Sequence, residues 1–339
     1  MNIPKLKISN NLTADIPIIQ GGMAIRVSTH TLASAVANCG AIGVIAGSGM
    51  STDELRQEIN QARSAIKNPH GLLGVNIMFA ASAFKELVDV CIEEKVDLII
   101  SGAGFSRDIF KIALDNNIAF APIVSSPKLA VLAKKLGASI IIVESGEAGG
   151  HLGTDKSIRE LIPEIRSAID TVDSPLHGSE RTPLIAAGGI TNGYDIVEML
   201  SLGADGVQMA TRFVLSEECN VDDKFKQVLK DATDEDAIII KSPVNMPARA
   251  VRTPFSMKVI EGDVFKLHNC CKCLKSCSLE YCIIKALNLS RSGDYENGLF
   301  FCGSNVGKYN NILPVKEIID TLIAEMLEAL NNEPIVFQN

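Results

Sequence analysis

The stretch Ile140-Ile-Ile-Val-Glu-Ser-Gly-Glu-Ala-Gly-Gly-His151-Leu-Gly153 decides the fold. It opens as a short apolar, β-branched run that stops at Glu144, the pattern of a buried strand. A loop follows in which Gly146, Gly149, Gly150 and Gly153 surround His151. Glycines remove Cβ atoms and let backbone approach a flat ligand closely. A histidine placed there can exchange a proton near neutral pH. A lone loop histidine also reads as a hydrogen-bonding plug. The strand-end position and the glycine cage favour an acid/base group at the carboxyl end of a parallel strand, where α/β barrels carry their chemistry. His30, His70, His177 and His268 have no such setting, and the first three read as helix-flank or loop residues.

Outward from this stretch, short apolar runs alternate with longer amphipathic segments. The strand candidates are Ile16–Gln20, Ala41–Ala46, Leu73–Phe79, Leu98–Ser101, Ala119–Val124, Ser139–Glu144, Pro183–Ala187 and Gly206–Met209. Helical patterns lie between them, at Thr52–Ile66, Ser82–Glu94, Ser106–Asn116, Ser126–Leu136, Ser157–Asp170 and Asn192–Leu202. Gly40, Gly137 and Gly203 stand where a helix needs a left-handed stop. Eight strands at about one unit per 24 residues is the rhythm of a TIM (β/α)8 barrel, an α/β fold. A doubly wound open sheet is the rival. The barrel is favoured because unusual residues recur after the first, third, sixth, seventh and eighth strands, and in a barrel those loops share one face. The expected layout is a barrel core at 1–215, a lid or irregular lobe at 216–260, and a C-terminal extension at 261–339. That extension holds a cysteine-rich segment and a final amphipathic helix at Val315–Asn331.

The formal charge of −8, without a basic stripe, argues against nucleic acid and anionic membrane surfaces. There is no Trp and only four Tyr, so platforms for stacking bases are scarce. No apolar h-region opens the chain and no apolar run nears the length of a membrane span. A soluble, cytoplasmic protein is expected. Nine cysteines, an odd number in a chain this long, do not suggest a secreted disulfide framework.

Gly188 and Gly189 follow strand seven, and Ala210-Thr211-Arg212 follows strand eight, where barrels commonly bind phosphate. The glycine N–H groups, the Thr211 hydroxyl and the next helix's N-terminus would serve an anion. Arg212 reads equally as a phosphate partner or a structural ion-pairing residue. Across the barrel, Gly21 and Gly22 permit backbone contact with a planar ring. Met23 offers a soft apolar surface, or simple core packing. Asn76, in an otherwise apolar strand, needs a polar partner such as the amide edge of a ring. One phosphate site and a flat, polar-edged ring together describe FMN.

These residues resemble the nitronate monooxygenase (2-nitropropane dioxygenase) family, which includes flavin-dependent enoyl-acyl-carrier-protein reductases. The matching motifs are Ile19-Gln-Gly-Gly-Met-Ala24, Gly74-Val-Asn-Ile-Met78, Ser101-Gly-Ala-Gly104, Glu147-Ala-Gly-Gly-His-Leu-Gly153, Ala187-Gly-Gly-Ile190 and Gly206-Val-Gln-Met-Ala-Thr-Arg-Phe213. They run in family order over roughly the first 250 residues. The resemblance implies a TIM barrel holding FMN, with His151 as active-site histidine. It puts Gly22, Met23, Asn76, Glu144, Gly188, Gly189, Ala210 and Thr211 along the flavin. Ala210 departs from the family, which usually carries glycine there. Pro247-Ala-Arg-Ala-Val-Arg252 resembles the family's arginine-bearing lid.

The resemblance implies oxidation of alkyl nitronates with O2 to carbonyl compounds and nitrite. Its alternative is NAD(P)H-dependent reduction of an enoyl thioester, with acyl carrier protein as a partner. A flavin-free phosphate-binding synthase or isomerase is a more distant reading. The motifs leave open the natural substrate, the choice of nicotinamide and the oligomeric state. In the tail, Cys270, Cys273, Cys277 and Cys282 are spaced so that four thiolates would suit Zn2+ or an iron–sulfur cluster. Packed thiols or a redox disulfide are the other readings of the same residues.

Overall fold

The computed structural model describes residues 2–9, 11–178, 180–263, 265 and 270–332. A short hairpin, β1 (Leu6–Lys7) and β2 (Thr13–Ala14), precedes β3 (Ile18–Gln20), α1 (His30–Asn38), β4 (Ile42–Ala46), α2 (Thr52–Ala65), β5 (Leu72–Met78) and α3 (Phe84–Glu93). Then come β6 (Leu98–Gly102), α4 (Asp108–Asp115), β7 (Ala119–Val124), α5 (Pro127–Leu136), β8 (Ile141–Glu144), β9 (Gly150–His151), α6 (Ile158–Ile169), β10 (Leu184–Ala187), α7 (Gly193–Ser201), β11 (Gly206–Met209) and α8 (Thr211–Val214). The remainder is α9 (Asp223–Asp231), β12 (Ala237–Lys241), β13 (Pro247–Val251), α10 (Pro254–Glu261), α11 (Ile283–Arg291) and α12 (Val315–Asn332).

Strands β3, β4, β5, β6, β7, β8, β10 and β11 close into a parallel barrel, with β11 pairing back onto β3. All eight strand expectations are met. Alternation explains the layering. Ile140, just before β8, and Ile142 fill the barrel interior, whereas Ile141 and Val143 pack outward against the helices. The same parity holds for Ala119 and Ala121 against Phe120 on β7, and for Ile185 and Ala187 against Leu184 and Ala186 on β10. Side-chain caps start the helices. Ser51, Ser126, Ser157 and Asn192 accept the backbone N–H three residues on. Gly137 closes α5 at φ 92°, the left-handed stop expected of it.

Helix α1 was expected only through its stop at Gly40, without bounds of its own, and Gly40 has the positive φ of 84° that the stop requires. The segment expected to be irregular also holds regular structure: β12 and β13 pair antiparallel, and β13 pairs with β9, giving a second sheet of order β12-β13-β9. Helix α12 returns to pack between α1 and α7. Among the described residues, no helix is long and apolar enough to cross a membrane.

Candidate functional site

Parity along the strands decides which polar side chains reach the barrel mouth. Glu144 continues the inward row Ile140–Ile142, and Asn76 alternates with the outward Val75 and Ile77. Gln208 likewise alternates with the outward Val207 and Met209. All three line a cavity of about 280 Å³ at the carboxyl ends of the strands. The side chains of Glu144 and Asn76 make no hydrogen bond among the described residues, and the Gln208 carbonyl oxygen is buried without a partner. Burial pushes the Glu144 carboxyl up to about 8. A buried polar group without a partner is costly. One buried unpartnered oxygen and two unpartnered side chains beside it suit a ligand with donors and acceptors along its edge.

His151 lies not in a loop but in β9, opposite Ala248 of β13. Its Nε2 is 2.8 Å from the Ser242 hydroxyl, and its ring stands edge-on to Phe301 at 5.5 Å. Among the described residues its Nδ1 has no hydrogen-bond partner and is not sealed off, and it opens onto the cavity that His151 lines. Burial lowers the imidazole to about 4, so the ring is neutral at neutral pH.

The glycines around His151 are explained by protein rather than by a ligand. A Cβ on Gly146 would meet the Asp155 backbone at 2.7 Å, one on Gly149 the Cys302 carbonyl carbon at 2.6 Å, and one on Gly153 the Ser125 hydroxyl at 2.4 Å. Arg249 tightens the same loop by donating to the Gly146 and Ala148 carbonyls. Gly22 makes room for Asn76, whose Cβ would lie 2.4 Å from its own.

At the opposite end, the Gly188 and Gly189 N–H groups donate to no acceptor among the described residues. Both glycines have positive φ, 93° and 76°. A Cβ on Gly189 would meet the Glu147 carboxyl carbon at 2.7 Å, and Glu147 in turn accepts the Ile158 N–H at the start of α6. Thr211 is near, but its hydroxyl accepts the Gly303 N–H at 3.0 Å. Helix α8 is a single turn of 4 residues, too short for the dipole expected there. Arg212 is structural but forms no ion pair among the described residues. It is buried, donates to the Asn311 carbonyl at 2.9 Å and lies over the Tyr309 ring. Ala210 faces Gly21, where an added Cβ would lie 3.2 Å from the Ala210 Cβ.

Thus Gly22, Met23, Asn76, Glu144, His151, Gly188, Gly189, Ala210 and Thr211 line one cavity. Sequence reasoning missed Gln208, Ser242 and the loop Cys302–Asn305. Asn305 donates to the Gly189 carbonyl at 3.3 Å and Ser304 N–H to the Glu147 carbonyl at 3.0 Å, so this late loop covers the glycine end. The orphaned Gln208 was legible in principle, being the inward polar residue of an apolar strand.

The metal expectation is not supported. Among the described residues, no group of three or more His, Cys, Asp or Glu side chains is placed to hold a metal ion. Cys273 has Cys271 and Cys282 near it, but these thiols do not converge into a ligand set. Cys273 and Lys275 are tied to residues 80–82 through Ser82 N–H to the Cys273 carbonyl and Lys275 N–H to the Ala80 carbonyl. Just after Cys277, Ser278 bonds the Pro243 carbonyl, and Cys282 sits at the start of α11. Cys270 is exposed. Burial, with Cys271 beside it, pushes the Cys273 thiol up to about 12. His268 lies outside the described residues.

The nitronate monooxygenase family model matches residues 6–81 and 72–325, so the chain belongs to that family. A (3aS,4S,5R,7aS)-5-hydroxy-7a-methyl-1-oxo-octahydro-1H-indene-4-carboxyl-CoA dehydrogenase of Rhodococcus jostii is 29% identical over 237 residues, 70% of this chain and 63% of that protein. The chain therefore spans less than two thirds of that relative. A probable nitronate monooxygenase of Staphylococcus aureus is 26% identical over 304 residues, 77% of this chain and 82% of its own. Among solved structures, FabK from Thermotoga maritima superposes with a TM-score of 0.81 at 33% identity, covering 93% of this chain and 94% of its own.

Proposed function

We propose that this member of the nitronate monooxygenase family is an FMN-dependent oxidoreductase that reduces a neutral, α,β-unsaturated thioester with NAD(P)H. One observation carries the choice of substrate. The cavity lining includes Glu144 and Glu147 but no Lys or Arg among the described residues, and its histidine is neutral. An anionic nitronate would meet no cationic side chain there, since the backbone N–H groups at Gly188 and Gly189 that suit an anion are taken by the flavin phosphate. A neutral carbon chain meets a favourable wall instead, formed by Ile25, Ile283, Ile284, Leu287 and Leu299. The 33% identity to FabK, an enoyl-acyl-carrier-protein reductase, supports the same reading. An acyl carrier protein is then the natural bearer of the thioester.

The residues present fit FMN. Unused N–H groups at Gly188 and Gly189 suit its single phosphate. The unpartnered Asn76, Glu144 and Gln208 suit the ring edge and the ribityl hydroxyls. Bound FMN would carry a hydride from NAD(P)H to the β-carbon of the thioester. His151 then serves the thioester carbonyl at the cavity wall, and the apolar wall orients the chain and excludes water. The net reaction takes one NAD(P)H and one proton and gives NAD(P)+ and the saturated thioester.

Nitronate oxidation, the expectation drawn from the sequence, is kept as a second reading because the family model and the staphylococcal relatives bear that name. Anaerobic mixing tests both. A crotonyl thioester should reoxidise the NAD(P)H-reduced flavin, while an alkyl nitronate should leave the oxidised flavin unchanged. Flavin reduction by the nitronate, with no response to the thioester, would reverse the assignment.

A further inference from the structure

We propose that Ser242 is a positioning residue that holds His151 as the tautomer with its proton on Nδ1, so that the site presents a hydrogen-bond donor, not a base, to the substrate. This rests on the reading that His151 serves a neutral carbonyl, and it assigns the atom that does so.

Ser242 follows the last residue of β12 and is buried. Its position is fixed by the turn at the end of the β12–β13 hairpin. There its N–H donates to the Met246 carbonyl at 3.2 Å, and its own carbonyl accepts the Asn245 N–H at 3.0 Å. The hairpin places Ala248 opposite His151, so one sheet carries both groups. The Ser242 oxygen accepts the Val244 N–H weakly, at 3.5 Å, on one side and lies 2.8 Å from His151 Nε2 on the other. An oxygen that already takes one N–H is best satisfied by pointing its own hydrogen at the imidazole. The nearby Tyr281 hydroxyl donates to the Lys241 carbonyl at 3.1 Å and meets the Ser242 hydroxyl only more weakly than His151 Nε2 does at 2.8 Å. Nε2 is then the acceptor, and in a neutral ring the proton must sit on Nδ1, the nitrogen open to the cavity. A thioester carbonyl there receives an N–H. A neutral nitroalkane would find no lone pair to take its carbon proton.

The tautomer is read directly by ¹⁵N-histidine NMR of the purified holoprotein at neutral pH, with the His151 signals assigned by their loss in His151→Gln. The expected result is a protonated Nδ1 and an unprotonated Nε2 in the wild type. In Ser242→Ala the two tautomers should mix, and thioester turnover should fall by about tenfold or more while NAD(P)H still reduces the flavin. Ser242→Thr, which keeps the hydroxyl, should restore both. A wild-type ring protonated on Nε2 would overturn the proposal, and so would an unmixed Nδ1–H tautomer in Ser242→Ala. If Ser242→Ala fails to fold, the wild-type and Ser242→Thr spectra decide. The NMR result does not depend on which substrate is turned over. A protonated Nδ1 beside absent thioester activity would sink the functional reading and leave the role of Ser242 standing.

Discussion

At the scale of single residues, the site joins two groups whose burial works in opposite directions on pH. Glu144 is raised from 4.5 to about 8. For an acid raised in the folded state, the contribution to stability is full below the ordinary value and is lost as pH rises toward the folded one. Glu144→Gln should therefore stabilise the flavin-free protein more at pH 8 than at pH 5, by an amount on the order of 1–3 kcal/mol at the higher pH. Melting temperatures of both proteins at the two pH values measure this. An equal difference at both would mean that Glu144 is ionised throughout. His151 is lowered from 6.5 to about 4, so the unfolded chain takes up a proton that the folded one refuses. Its neutral form lets stability fall as pH drops through that window. His151→Ala should keep the flavin and lose turnover by at least ~10²-fold. Normal rates on every substrate would return His151 to the plug reading. His151 and Asn76 were legible because a polar residue interrupts an apolar pattern. Ser242 was not, because its partner lies 91 positions away and no local pattern marks the pairing.

Among the elements, the strands were legible and their boundaries nearly so, because a strand buried on both faces has a composition of its own. Helix α1 was legible only at its stop, Gly40, for the converse reason. His30–Asn38 carries no acidic or basic end and packs against α2, α12 and β4, so it shows little polar face. The β12–β13 hairpin was hidden by Pro243 and Pro247, which read as breakers but stand in the turn and at the strand edge. The return of α12 is where an element-scale prediction can be made. Gly193, the first residue of α7, donates its N–H to Glu325 at 2.7 Å, and a Cβ there would lie 2.3 Å from the Leu322 carbonyl oxygen. Gly193→Ala must push the two helices apart. It should lower stability by about 1–3 kcal/mol, the usual range for overpacking. Urea unfolding should show an earlier midpoint with an unchanged slope. A midpoint equal to wild type would mean that α12 docks less tightly than its contacts with Gly193 imply.

Across the whole molecule, the cavity is built from the two ends of the chain. Gly22 lies near the start, Gly188 and Gly189 in the middle, and Cys302–Asn305 close to the last helix. The barrel was readable from alternating runs, but this closure was not, because the late loop carries no motif and acts through hydrogen bonds to Glu147 and Gly189. A ligand in such a place ties distant segments together. FMN bound only by the folded state should stabilise it by RT ln(1 + [L]/Kd), about 2.7 kcal/mol at a hundredfold excess over Kd. Hydrogen exchange on flavin-stripped protein, with and without added FMN, measures where that stabilisation falls. Protection should appear together at 21–24, 187–191 and 302–305, although nearly three hundred residues separate the first segment from the last. FAD should not reproduce it, because the glycine end offers unused N–H groups at Gly188 and Gly189 without a second glycine fingerprint for a pyrophosphate. Protection confined to one segment would mean that the late loop is not part of the flavin site. Equal protection by FAD would mean that the cavity is open beyond the phosphate.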